Sequence, residues 1–150
     1  MLFRSDSVDE RVRELLAALD VFTQYSYGFK IKLLDVAEID PSAKESSLVT
    51  SNLCVKIFNA MGAHVSLSDI DIAHRVPARN SLADKPKPII CKFVRRLARE
   101  EVMSLRRRMK GVDPSVVGLD TEADFSNAHI VDHLPPKTQE LYTEIGRAHV

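Results

Sequence analysis

Apolar positions recur along this chain at two spacings, and the switches between them mark out its elements. Between residues 7 and 24, Val8, Val12, Leu15, Leu19 and Phe22 follow one another at steps of 4, 3, 4 and 3, with Asp9, Glu10, Arg11, Arg13 and Glu14 between them. That is an a/d seam over about two heptads. A helix so short is marginal in water, so it is expected either to dock on its own domain or to be the end of a longer coiled coil. The period then falls to two: Phe29, Ile31 and Leu33 alternate with Lys30, Lys32 and Leu34, the pattern of a half-buried strand. Asp40-Pro41-Ser42 breaks it. Leu48, Leu53, Ile57 and Met61 then define one apolar face of a helix from about Glu45 to Met61, and Gly62 is a natural stop.

Alternation returns in DIDIAHRV (69–76), with Ile70, Ile72, His74 and Val76 on one side and Asp71, Ala73 and Arg75 on the other. Pro77 to Pro88 is a polar loop with three prolines, and IICKFV (89–94) is a third strand. RRLAREEVMSLRRRMK (95–110) predicts one helix, its apolar face made by Ala98, Val102, Leu105 and Met109. Residues 112–127 carry no period, AHIVDHL (128–134) predicts a fourth strand, and PPKTQELYTE a helix opened by Pro135-Pro136. The order is stalk helix, strand, helix, strand, strand, helix, strand. It predicts an α+β fold, a ferredoxin-like or RRM-like βαββαβ sandwich preceded by a short coiled-coil helix. The expected divisions are a stalk over 1–26, the RRM-like domain over 27–134 and the start of a linker helix over 135–144.

Charge sharpens this picture. The chain has 21 Lys and Arg against 21 Asp and Glu, yet twelve of those cations and only three of the acids lie between Arg75 and Lys110. A balanced chain thus holds one strongly basic segment, the usual footprint of a polyanion partner. With Ile31, Leu33, Ile70, Ile72, Ile89 and Phe93 against the helices, Lys30, Lys32, Arg75 and Lys92 fall on the open face of the sheet. Arg79, Lys85 and Lys87 add loop cations. On the helix, Arg95, Arg99, Arg106 and Lys110 form a basic stripe beside the apolar one, widened by Arg96 and Arg107. The open side carries no stacking aromatics, so phosphate contacts should dominate over base stacking, and binding should be sequence-tolerant and salt-sensitive. A charge run can equally be a solvated face, or meet an acidic protein partner.

Other chemistry finds little footing. There is no Gly-rich phosphate loop and no recognisable nucleophile motif, so no enzyme is expected, and no cofactor. Asp69 and Asp71 read as strand residues rather than a metal pair. His129 and His133 have zinc-ligand spacing but no CxxC beside them, so no metal site is expected. Cys54 and Cys91 lie in apolar runs and read as buried small hydrophobes. The sequence has neither a membrane-spanning apolar run nor a signal peptide at its start, which implies no membrane partner and an intracellular location, cytoplasmic or nuclear.

DIDIAHRV, the proline-containing loop, KPIICKFVRR and LAREEVMSLRRR together resemble the first-open-reading-frame proteins of LINE-type (non-LTR) retrotransposons and the related baculovirus few-polyhedra protein. QYS before the first strand and AHIVDHLPPKTQELYTE are similar to their insect members, so the likeness runs from about Val12 to Thr143. Where family members carry arginines after QYS, this chain has Tyr27-Gly28-Phe29. The resemblance implies a self-associating stalk, joined through Val8, Val12, Leu15, Leu19 and Phe22, an RRM-like domain and a further small C-terminal domain. Together these coat single-stranded RNA or DNA in a ribonucleoprotein and act as a nucleic-acid chaperone. The final EIGRAHV can be encoded by GAGATCGGAAGAGCACACGTC, which resembles a common sequencing adapter, so 145–150 is expected to be a non-native tail.

Overall fold

A computed structural model describes residues 2–77, 85–120 and 123–134, with side chains from residue 7 onward. Arg79, the expected helix over 135–144 and the tail over 145–150 lie outside the described residues. The chain divides into two units, one of Met1–Gly28 with Leu134–Val150 and the other of Phe29–His133. Among the described residues no helix is long and apolar enough to cross a membrane.

In the first unit, helix α1 spans Leu2–Tyr27, longer at both ends than the heptad pattern alone predicts. It closes where the Gly28 amide donates to the carbonyls of Gln24 and Tyr25. Every seam position, Val8, Val12, Leu15, Leu19 and Phe22, is between 47% and 70% exposed. The helix therefore forms without burying the residues that its spacing aligns.

The second unit is α+β, as its pattern predicts. Its main elements run β1 (Lys30–Leu34), α2 (Ser47–Ala60), β2 (Ile70–Arg75), β3 (Ile89–Phe93), α3 (Arg96–Ser104) and β4 (His129–Asp132). The four strands form one sheet in the order β2-β3-β1-β4, every neighbouring pair antiparallel. Ile31, Leu33, Ile89, Cys91, Phe93 and Ile130 point to one side, where Leu53, Cys54, Ile57 and Phe58 of α2 and Ala98 and Val102 of α3 cover them. Phe58 and Phe93 meet at a ring-centroid distance of 5.6 Å. Cys54 and Cys91 are both buried free thiols; the neighbouring Cys54 thiol first, and burial second, push the Cys91 thiol well above its ordinary range.

Local chemistry sets the ends of α2. The Ser46 hydroxyl accepts from the Val49 amide at 3.2 Å, an N-cap, and Gly62 at φ +102° turns the chain away after Met61. Leu48, expected on the buried face, is exposed instead. At that turn the inward positions belong to Thr50 and Ser51: the Thr50 hydroxyl donates to Glu45 at 2.6 Å, and Ser51 Oγ accepts from the Ala73 amide at 3.1 Å.

One further expectation is corrected. The helix expected over residues 95–110 is broken: α3 ends at Ser104, and Arg106–Gly111 is a 3-10 segment. Its tighter turn takes Met109 fully into the core, and residues after Leu105 no longer follow a 100° progression. The stretch 112–127, which has no period, contributes Val112, Val117, Leu119 and Phe125 to the core from successive turns.

Candidate nucleic-acid interface

The strand registers define what the uncovered side of the sheet carries. Lys30 of β1 stands opposite Lys92 of β3, and Lys32 lies between Ile90 of β3 and Val131 of β4. Side chains directly opposite in an antiparallel pair share a face, so Lys30, Lys32 and Lys92 stand together on the two central strands. All three are partly exposed. Lys92 Nζ is 3.6 Å from Asp71 Oδ2 in a solvent-exposed pair, worth at most about 1 kcal/mol and open to competition from a phosphate.

β2 is where the sequence reading fails, and a β-bulge is the reason. The register jumps between Ile70, opposite Phe93, and Ile72, opposite Lys92. One extra residue reverses the faces of everything after it. Ile72 and His74, expected against the helices, stand on the open side with Lys92 and Ile90; Ala73 and Arg75 turn inward with Cys91 and Ile89.

Arg75 is thus not an open-face cation. Its side chain is 7% exposed and that of Glu45 5%, and Arg75 Nε donates to Glu45 Oε2 at 2.8 Å. The remaining guanidinium nitrogens donate to the carbonyls of Val36, Ala37 and Lys87. The planar fork ties the segment after β1, the approach to α2 and the end of the Pro77–Pro88 loop to the end of β2. For Glu45, burial pushes the carboxyl pKa up, but hydrogen bonds from Arg75 and Thr50 and the charge of Arg75 outweigh it and hold the group below its ordinary value.

Arg99 is also used internally. Its side chain is 12% exposed, and it donates to the Lys30 carbonyl at 3.2 Å, to Glu100 and to Asp132, joining α3 to the ends of β1 and β4. It is removed from the expected basic stripe, which the end of α3 at Ser104 also interrupts. Arg95 precedes α3, stays more than half exposed and pairs with Asp69 at 2.7 Å. That contact is the first cause of the lowered Asp69 pKa. Asp69 itself sits in a 3-10 turn, Leu67–Asp69, where its carboxylate accepts from the Ser66 amide, so it is a capping residue rather than a strand residue.

The other expected cations remain exposed but are dispersed. Lys85 and Lys87 lie on the loop before β3, Arg96 begins α3, and Arg106, Arg107 and Lys110 lie on the 3-10 segment. Arg106 donates to the Met103 carbonyl at 3.1 Å. Among the described residues, only Lys30, Lys32 and Lys92 of the expected cations gather on the open side of the sheet.

The strand geometry adds groups that spacing did not flag. Leu34 faces His129 across the β1–β4 pair. His133 follows Asp132, the residue that stands opposite Ile31 at the end of the β1–β4 pairing. Burial first, then the charges of Lys30, Lys32 and His74, push the His133 pKa below its ordinary value. His129 lies in β4 and His133 just beyond it, so four residues of extended chain separate them by about 13 Å, too far to share one zinc ion. At the end of β2, a cleft of about 630 Å³ is bordered by Lys44, Glu45, His74, Arg75 and Lys87. No protein-family model and no curated protein sequence matches this chain.

Proposed function

We propose that this chain binds single-stranded nucleic acid, RNA foremost, through the phosphate backbone, as the RRM-like, chaperone-type protein of a retrotransposon ribonucleoprotein. The observation that carries the reading is the gathering of Lys30, Lys32 and Lys92 on the two central strands. The positions around them are held by Ile72, His74, Ile90 and Val131, with no Phe, Tyr or Trp among these strand residues. A surface of this kind neutralises phosphates and leaves base edges unread. It serves binding rather than catalysis, and it suits an intracellular protein that coats RNA without regard to sequence. The resemblance to LINE-type first-open-reading-frame proteins agrees with it, as does the concentration of cations between Arg75 and Lys110.

The exposed seam of α1 favours a second reading alongside the first, in which copies assemble through Val8, Val12, Leu15, Leu19 and Phe22 and the basic surface meets an acidic protein, as in a few-polyhedra-like assembly module. Copurification separates the two. A nucleic-acid binder leaves the column with an absorbance excess at 260 nm that nuclease removes, whereas an adaptor for an acidic protein carries no nuclease-sensitive component. Filter binding of the nuclease-treated chain to single-stranded RNA at low salt then tests the first reading directly. Retention of RNA is expected, and its absence refutes the proposal.

A further inference from the structure

Histidines share the side of the sheet on which the three lysines stand. Across the sheet, one row runs Ile72, Lys92 and Lys30, and His133 follows the end of β4, where the charges of Lys30, Lys32 and His74 act on it. The adjacent row runs His74, Ile90, Lys32 and Val131. An imidazole therefore lies beside the β1 end of the lysine cluster, within the field of Lys30 and Lys32. The cationic surroundings disfavour a further positive charge there, and the shift of His133 away from its protonated form reflects this after burial. A phosphate laid over Lys30 and Lys92 reverses the sign of that field.

We infer that His133 is a member of the phosphate-binding face and contacts the polyanion as an imidazolium, so that binding takes up a proton. This inference rests on the proposed phosphate reading of the sheet. The titratable groups on this side of the sheet among the described residues are Lys30 and Lys32 from β1, His74 and Asp71 from β2, Lys92 from β3 and His129 from β4, of which Lys30, Lys32 and His74 act on His133. Asp132 belongs to the opposite side of the sheet, where Arg99 holds it. Lys30 and Lys32 are cationic, and an anionic ligand bound to them makes protonation of His133 more favourable. Linkage requires the reverse effect as well: if binding raises proton affinity, lower pH tightens binding.

The test is fluorescence anisotropy of a labelled oligouridylate with the full chain at fixed salt, from about pH 7.5 to about pH 5.5, the range over which an imidazole titrates. Calorimetry in two buffers of different ionisation heat counts the protons. Affinity is expected to rise as pH falls, by up to about tenfold per pH unit for one linked proton, with net proton uptake. His133→Gln should remove the rise, so that its affinity falls increasingly behind the parent's as pH is lowered. His64→Gln, beside Glu101 and away from the sheet surface, should keep the rise. Circular dichroism establishes that both variants are folded. A His133→Gln protein with undiminished pH dependence, or a parent protein whose affinity ignores pH, overturns the inference and leaves the phosphate reading standing. No binding at any pH overturns both.

Discussion

Replacing Arg75 with Met should destabilise the fold rather than weaken a ligand site. The substitution removes the cation paired with Glu45, whose side chain is 5% exposed, and strips donors from three backbone carbonyls. Breaking a buried ion pair from one side costs about 3–5 kcal/mol, because the remaining charge stays buried without compensation. Domains of ordinary size have only about 5–15 kcal/mol in total. With a urea slope of about 2 kcal/mol per molar, the unfolding midpoint should fall by about 2 M. Urea titration followed by far-ultraviolet circular dichroism measures it, and Lys92→Ala, which removes an exposed pair, should cost under about 1 kcal/mol on the same scale. Adding Glu45→Gln to Arg75→Met should recover part of the loss, since the stranded charge is then gone. If Arg75→Met costs no more than Lys92→Ala and instead lowers RNA affinity, the guanidinium is a ligand contact and the bulge argument is wrong.

Three further outcomes follow from the same geometry. Glu45 and Asp69 both titrate below their ordinary values in the folded chain, so they contribute stability that is complete above the unfolded carboxylate range and is lost as pH falls through the depressed values; acid unfolding monitored by circular dichroism should lose part of this dependence in Asp69→Asn. Phe93→Ala, which empties a fully buried site against Phe58, should cost about 3–5 kcal/mol in urea unfolding, and a loss below about 1 kcal/mol contradicts the packing described. Leu15→Asp with Leu19→Asp should leave the unfolding of the Phe29–His133 unit unchanged but abolish any concentration-dependent mass seen by light scattering, because both residues are exposed in the single chain.

The parts of the fold that were legible in sequence are those whose burial is periodic. β1 declares itself because Ile31 and Leu33 alternate with lysines, and α2 because Leu53, Ile57 and Met61 recur on one face and Gly62 ends it. The bulge in β2 has no such mark: Ile70, Asp71 and Ile72 read as regular alternation, and only the pairing with Phe93 and Lys92 reveals the extra residue. That single residue moved Arg75 from ligand surface to core and put His74 in its place. The break after Ser104 was hidden for a related reason. The arginine run suits an α-helix by propensity, but burial of Met109 and Val112 requires the chain to tighten and turn, and tertiary packing overrides propensity. His133 was visible in sequence only as half of an improbable zinc pair, because the pairing of β4 with β1, not spacing, brings it into the field of Lys30.

The central claim, that phosphates are gripped by the lysines of the sheet, is tested most directly by the salt dependence of single-stranded RNA binding in Lys30→Ala/Lys32→Ala/Lys92→Ala beside Arg106→Ala/Arg107→Ala. Each phosphate contact to a single strand contributes about 0.7 to the slope of log affinity against log salt, so the triple lysine variant should lose about 2 from that slope, together with most of its low-salt affinity. The arginine pair, on the 3-10 segment outside the sheet surface, should have the smaller effect. A triple variant with the parent's slope and affinity contradicts the account.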